Sequence, residues 1–368
     1  MKRKTTSFKN ILVVINAIIL ILYLIACICP FVNTSELWIL AFPGLIFPIL
    51  FFALIFFILV WIIVKSKWWL VSSIVLLLGF QQIKSAFAFN LPHPFNAEKN
   101  VNTLRILQWN VEGWGDYQRT DDSTNFSEME KLITAQHADV LCFEEYFDFT
   151  HHHFFEPNTK KLVALGYPYH YFVASEYYEN DNESGIAIFS KYPIPDSGKY
   201  DFDENSNGEH LIFADIKVND RTFRVFATHL QSIHFHGEDY QSLSDIKHGR
   251  EGGLKDSRTI VSKLKRGYVS RYKQSELVDE KLRESPYPSF ICGDFNDVPN
   301  SSTYFKVKGN FRDAFLEKGS FIGRTFRFIS PTLRIDYILA DRKFNVSQFQ
   351  RIKVPYSDHY PIEADLTY

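Results

Sequence analysis

Six times in the C-terminal two-thirds of this 368-residue chain, an apolar run or a tail loop delivers a side chain able to bind a cation, move a proton or hold a phosphate. Leu104–Trp109 is followed by Asn110, Val140–Phe143 by Glu144 and Glu145, and Phe223–Thr228 by His229. Phe290–Gly293 is followed by Asp294, Phe295 and Asn296, and Ile335 by Asp336; a tail loop supplies Ser357, Asp358 and His359. One acid after a strand means little, because strands end in solvated loops. Six endings restricted to Asn, Asp, Glu and His point to convergence at one rim of a sheet structure.

These residue types suit one job. Hard cations such as Mg²⁺ take oxygen ligands, usually a few carboxylates together with water and substrate phosphate. Glu145, Asp294, Asp358 and the Asn amides supply that set. Hydrolysis of a phosphate ester also needs an activated water, charge neutralisation on the phosphoryl oxygens and help for the leaving oxygen. Histidine carries protons near neutral pH. A carboxylate hydrogen-bonded to it fixes its tautomer and raises its basicity, a role open to Asp336.

The elements that must position these groups are short. Strand-like runs cover Leu104–Asn110, Val140–Glu144, Gly185–Ser190, His210–Val218, Thr222–His229, Ser289–Gly293, Ile335–Ala340 and Glu363–Thr367. Several are continuously apolar, which suits strands covered on both faces. Helical patterns lie between them, at Ser127–His137 and at Arg258–Glu284, the latter predicted to break near Gly267. This mixture predicts an α/β fold for residues 104–368, a four-layer αββα sandwich of two packed sheets flanked by helices. Residues 90–103, with two prolines, four asparagines and no apolar period, read as a linker.

Residues 1–89 read as a membrane anchor. Three apolar runs, about 11–32, 37–64 and 68–89, are expected to be transmembrane helices, since about 20 apolar residues cross the hydrocarbon core. The third is short unless Lys84 snorkels. Residues 1–95 carry Lys2, Arg3, Lys4, Lys9, Lys65, Lys67 and Lys84 against Glu36, a net +6, so residues 96–368 carry −8. Basic residues flank the N-terminus and the loop before the third run, and the loop Asn33–Glu36 has none. Positive residues stay inside, which predicts a cytoplasmic N-terminus and an extracytoplasmic catalytic domain, in the periplasm or at the cell exterior. Trp61, Trp68 and Trp69 would be interfacial aromatics at the inner end. The runs hold no acid or base other than Lys84, so they lack the marks of a transport path. The acidic domain lacks the basic footprint of a duplex-DNA binder. Cys27, Cys29, Cys142 and Cys292 suggest neither a disulfide framework nor a zinc site.

The segments LRILQWNV, DVLCFEEY, GIAIFSKYPI, FRVFATHL, FICGDFNDVPNSSTY, GRTF, RIDYILA and YSDHYPIEADL, in this order, resemble the motif string of the endonuclease/exonuclease/phosphatase superfamily. The resemblance covers about residues 103–368. It implies that Asn110 and Glu145 hold the metal, Mg²⁺ or Mn²⁺, with Asp358 as a second metal-side carboxylate. It implies that His229 stabilises the transferring phosphate or protonates the leaving group, and that Asp294 orients or deprotonates the attacking water. Asn296 would bind a phosphate oxygen. His359, partnered by Asp336, would act as base or phosphate-binding imidazole, and Thr325 would contact substrate. Glu144 departs from the usual glutamine at its position. Arg271 and Gln274 match a helix motif expected to be structural.

Other conspicuous residues have blander readings. His151–His153 and His234–Gly237 read as surface loops. Trp114, Tyr117, Tyr177 and Tyr178 read as core or rim packing, and Lys160–Lys161 and Lys263–Arg266 as solvated faces. The expected function is a tethered phosphoester hydrolase whose partners are the bilayer and a phosphate-ester substrate, either a phospholipid or sphingolipid headgroup or external nucleic acid. No protein partner is predictable. The competing reading is an inactive membrane-anchored binding module, and the completeness of the eight-residue set argues against it.

Overall fold

The computed structural model describes residues 2–118, 124–149, 156–178, 182–202, 209–233 and 253–368. His151–His153 and His234–Gly237 lie outside the described residues. The helices are α1 (Lys2–Ile28), α2 (Ala41–Leu45), α3 (Phe47–Ile63), α4 (Trp68–Leu78), α5 (Phe80–Ala86), α6 (Thr124–Gln136), α7 (Asn158–Ala164), α8 (Gly253–Arg283), α9 (Ser302–Lys308) and α10 (Ala314–Lys318). The strands are β1 (Ala88–Phe89), β2 (Thr103–Asn110), β3 (Val140–Phe149), β4 (Tyr169–Tyr178), β5 (Asn182–Ser190), β6 (Asp196–Asp201), β7 (His210–Val218) and β8 (Arg221–His229). They continue with β9 (Ser289–Asp294), β10 (Arg312–Asp313), β11 (Ser320–Phe321), β12 (Asp336–Ala340), β13 (Asn345–Arg351) and β14 (Ile362–Thr367).

Two 6-stranded sheets, ordered β13-β14-β2-β3-β5-β4 and β10-β12-β9-β8-β7-β6, stack face to face. Each has one parallel pair, β2 with β3 and β8 with β9, and is otherwise antiparallel. Alternation along each strand explains the continuous apolar runs. Ile106, Cys142, Ile188, Val225, Cys292 and Ile338 face the space between the sheets. Their neighbours Leu107, Leu141 and Phe143 face α6 and α7, packing on Phe126, Met129 and Leu162. Phe226, Ile291 and Tyr337 face α8 and α9, packing on Val278 and Tyr304. The expected αββα sandwich is thus the observed one.

Three strands of some length, β4, β6 and β13, were not foreseen. Apart from Val346, their residues are exposed or half-buried and lack the apolar signal of inner strands. The break expected near Gly267 is absent, and α8 runs unbroken from Gly253 to Arg283. Gly267 instead makes room for a side chain one turn on: a Cβ there would lie 2.7 Å from Arg271 Nη1.

The apolar third also departs from three straight spans. Phe8–Phe31 is one helical segment of 24 residues, long and apolar enough to cross a membrane. The second run bends by 58° between α2 and α3, and the third by 63° between α4 and α5. Pro43, Gly44 and Pro48 explain the first bend, since proline removes a helical donor and suits only a first turn. Gly79 marks the second. A Cβ there would lie 2.1 Å from the Tyr23 hydroxyl, so glycine lets α4 close on α1.

This third is fastened to the sandwich at several points. Asn300 Nδ2 donates to Ala26 O at 2.9 Å near the end of α1, and Thr34 and Ser302 share a hydroxyl bond of 2.6 Å. Ala41 packs on Tyr268 of α8. Arg334 Nη2 donates to Ser85 O at 2.8 Å, and β1 pairs with β11. Residues 90–102 contain no helix or strand and lie along the domain: Asn90 Nδ2 donates to Leu316 O and Gly319 O, and Arg105 Nη2 to Asn96 O.

Candidate active site

Strand register gathers the polar endings. His229 on β8, Asp294 on β9 and Asp336 on β12 are neighbouring Cα partners across one sheet. In the other sheet Asn110 on β2 stands beside Glu144 on β3. A register irregularity between Phe143 and Tyr146 re-aims the next residue, Glu145, whose φ is 49°. Bulges commonly redirect a side chain in this way. Glu112 and Asn296 also hold left-handed backbone, with φ of 47° and 50°. Such conformations are strained for residues with a Cβ and collect at functional sites.

The eight expected residues converge. Asn110 Nδ2 donates to Glu145 Oε1 at 3.1 Å and to Asp294 Oδ2 at 3.3 Å. His229 Nε2 lies 3.7 Å from Asp294 Oδ2 and 4.0 Å from Glu145 Oε1. His359 Nε2 lies 3.6 Å from the same Asp294 oxygen and 3.8 Å from Asp358 Oδ1. On its other side His359 Nδ1 meets Asp336 Oδ2 at 2.9 Å. The tail loop is held by Ser357 Oγ donating to Asn110 O and by Trp109 Nε1 donating to His359 O. Asn296 N–H donates to Asp294 Oδ1 at 2.8 Å, and its amide donates to Leu230 O at 2.9 Å, leaving one amide proton and its oxygen for the cleft.

Thr325 is placed differently from the expected substrate contact. It is 1% exposed, and its hydroxyl oxygen accepts from Ile335 N and Asp336 N at 3.0 and 3.2 Å, so it braces Asp336 from beneath. Arg271 and Gln274 match their structural reading. They hold Gln231, two residues past His229, through Gln231 O and Gln231 N.

Three further residues belong to the site's polar network. Glu112 Oε2 accepts from Asp358 N at 2.8 Å, tying the first strand's exit to the tail loop. An acid two residues past Asn110 was the available signal. Glu209, just before β7, lines the same cleft and accepts from Gln274 Nε2 at 3.0 Å. Gln108 Nε2 donates to both Glu144 Oε2 (2.7 Å) and Asp336 Oδ1 (3.1 Å), so the departing Glu144 faces away from the cleft into a buried network.

Burial and mutual repulsion dominate the electrostatics. Burial, with a push from Asp336 and opposed by His359, raises Asp294 to about 8. Glu112 is raised to about 7 by burial and then by Asp358 and Glu145. Asp358 is raised by burial, opposed by His359 and reinforced by Glu145 and Asp336, and burial holds Glu144 well above the carboxylate range. Burial disfavours the imidazolium of His359, but Asp336 and Asp294 outweigh it and hold that ring well above its ordinary value. Carboxylates crowded until they resist ionising fit a hard divalent cation, which would relieve that repulsion. Asp294, Asp336 and His359 also bring ligand atoms within 4.8 Å of one another. His359 Nδ1 and Asp336 already satisfy each other, and Glu145 and Asp358 are further carboxylates of the cleft that could hold such an ion.

The cleft around these groups has a volume of about 920 Å³. Its acids could hold a cation and water and its two imidazoles could carry protons, a set able to serve water-driven phosphoryl transfer.

Comparison with known proteins agrees. Residues 107–359 match the Endonuclease/Exonuclease/phosphatase family, and residues 9–86 match a family described only as a domain of unknown function. A search among curated proteins finds no match. Among solved structures, an endonuclease/exonuclease/phosphatase from Beutenbergia cavernae is similar at 20% identity and a TM-score of 0.52, covering 72% of each chain. The human Nocturnin catalytic domain with bound sulfate is 19% identical with a TM-score of 0.49, covering 72% of this chain and 93% of that one. A mannosyl-6-phosphatase from Bacteroides thetaiotaomicron is 18% identical with a TM-score of 0.49, covering 72% and 100%. At 20% identity the first of these shows a likeness of fold alone, and the family match carries the rest. The chain belongs to the endonuclease/exonuclease/phosphatase family of metal-dependent phosphoester hydrolases.

Proposed function

We propose that this chain is a membrane-tethered, Mg²⁺- or Mn²⁺-dependent phosphoester hydrolase with its catalytic domain outside the cytoplasm. The substrate classes open to it are a phospholipid or sphingolipid headgroup and external nucleic acid. The observation that carries the reading is the ring of Asn110, Glu145, Asp294, Asp358, His229 and His359 around one cleft.

In this reading Asn110, Glu145 and Asp358 hold the cation. When bound, it supplies charge neutralisation on the phosphoryl oxygens. Asp294 orients the attacking water and takes its proton. His359, fixed through Nδ1 by Asp336, presents Nε2 to a phosphate oxygen or to that proton. His229 protonates the leaving oxygen, and the free amide proton of Asn296 binds a phosphate oxygen.

The topology has its own support. The end of α1, the start of α3 and the end of α5 lie toward the catalytic domain, through Ala26, Pro48 and Ala86. Lys4 and Lys9 begin α1, and Lys65 and Lys67 follow α3, so these bases belong to the opposite helix ends. That polarity agrees with bases inside and catalysis outside.

The test uses the full chain in nanodiscs with Mg²⁺ or Mn²⁺. The panel is plasmid DNA, RNA, sphingomyelin, phosphatidylinositol phosphates and a bis-aryl phosphodiester. Hydrolysis abolished by EDTA and restored by the cation is expected. Turnover indifferent to EDTA would refute the metal reading, and a C-terminal reporter active only in the cytoplasm would refute the topology.

A further inference from the structure

The catalytic cleft is built partly from the apolar third. Ile46, at the bend between α2 and α3, and Ile49, on the first turn of α3, stand on its wall with Leu264, Ile329 and Leu333. The same cleft holds Glu145, His229, Asp294, Asp358 and His359. Ile49 also begins an exposed stripe. Phe52, Phe56, Leu59 and Ile63 follow at steps of three and four, and all are exposed, up to 78% at Ile63. That spacing keeps them on one face of a helix. The face therefore starts inside the cleft and runs the length of an uncharged apolar helix.

The charge of the cleft narrows the choice of substrate. Among the described residues, seven carboxyl groups line it against one guanidinium, Arg271, which is tied to Asp297 and to Gln231 O, and two imidazoles, His229 and His359. A polynucleotide needs positive charge along successive phosphates. An amphiphile with one reacting phosphoryl group needs compensation at a single point and an apolar surface elsewhere.

We propose that the substrate is a membrane lipid with a phosphoester headgroup. Its phosphate sits by Glu145, Asp294 and Asp358, and its apolar tail leaves along Ile46, Ile49 and Phe52 into the bilayer. The anchor is thus part of the substrate site as well as a tether. This rests on the phosphoester-hydrolase reading above. The reaction is hydrolysis: a water oxygen bonds to phosphorus, the ester P–O bond breaks, and the leaving oxygen keeps the electron pair and takes a proton.

Two probes with one reacting centre test it on the full chain in nanodiscs with Mg²⁺: methyl 4-nitrophenyl phosphate and dodecyl 4-nitrophenyl phosphate. The dodecyl ester should be preferred on the order of tenfold or more in kcat/KM, mainly through KM, because its chain buries apolar surface. Ile46→Asn and Ile49→Asn should each cut that preference severalfold. Partition of the dodecyl ester into the bilayer is common to parent and variants, so the change between them isolates the track. Should an Asn variant fail to fold, Ile49→Ala gives the same reading with a smaller loss. Equal use of both esters by the parent, or a preference unchanged in the folded variants, overturns the tail track and leaves the hydrolase reading standing. An oligonucleotide cleaved faster than either ester overturns it equally. Hydrolysis of none of the three overturns the hydrolase reading itself.

Discussion

His359 and Asp336 are joined through Nδ1, which lies 2.9 Å from one carboxylate oxygen and 3.1 Å from the other. The pair links β12 to the loop before β14, so the ring is held between the two sheets while Nε2 faces Asp294. Removing the carboxylate charge should change how this ring titrates. In Asp336→Asn the imidazolium loses its main support, and the pKa of His359 falls. The limb of the pH–rate profile that reports His359 then moves to lower pH, with a loss on the order of tenfold or more in kcat. An NMR titration of the ring measures the shift directly, and an unmoved midpoint sinks the partnership.

Asp294→Asn and His359→Ala should each abolish hydrolysis of the bis-aryl phosphodiester, by on the order of two decades or more, with the fold intact. Circular dichroism and thermal unfolding provide the folding control. Near-parental turnover by either purified variant is incompatible with the assigned roles.

Glu112 is expected to tune the cation site. Glu112→Gln keeps an acceptor for the Asp358 N–H but removes a like charge beside Asp358 and Glu145. The cation-free protein should unfold at a higher temperature, and Mg²⁺ affinity by isothermal titration should fall severalfold. An unchanged affinity would make Glu112 a loop fastener only.

Stability should depend on pH through Glu363, far from the cleft. Burial, opposed by its bond to Gln350 and by Arg105, raises its folded-state pKa from 4.5 to about 7. The unfolded chain therefore gives up this proton first. The stabilisation is complete below about pH 4.5, is lost as pH rises through about 7, and is then constant. Glu363→Gln should show a smaller fall in unfolding temperature over that window than the parent. Parallel curves would exclude the linkage.

Arg334 bears on both halves of the chain. It is 1% exposed, pairs with Asp313 Oδ2 at 2.7 Å through Nη1, and donates to Ser85 O through Nη2. Arg334→Met leaves Asp313 without its cation, which costs about 3–5 kcal/mol for a buried pair. Denaturant unfolding measures that cost, and a loss below about 1 kcal/mol would show water replacing the guanidinium.

The sheet core was legible because inner strands are apolar on both faces. Leu104–Asn110 and His210–Val218 announce themselves, whereas the edge strand Tyr169–Tyr178 has mixed exposure and no such signal. The strand-end residues were legible for a related reason: a polar group following an apolar run has only the rim to occupy. Glu209 was not, because its place depends on the long-range contact with Gln274. In GRTF Thr325 resembles a substrate contact, and only the fold reveals that its hydroxyl oxygen accepts from the backbone at Ile335 and Asp336. The bends at Ile46 and Gly79 were missed for the opposite reason. Hydropathy averages over a run, and Pro43, Gly44 and Pro48 barely change the average while redirecting the chain.

The bonds from Asn300, Ser302 and Arg334 to the apolar third have a kinetic consequence. A catalytic domain clamped to its own helices cannot swing out to search the bulk solution. On the lipid reading, its encounters are two-dimensional, and the rate follows the mole fraction of substrate in the surrounding leaflet. Diluting the enzyme and its vesicles together should then leave turnover unchanged. Diluting the substrate with inert lipid at constant total concentration should lower it.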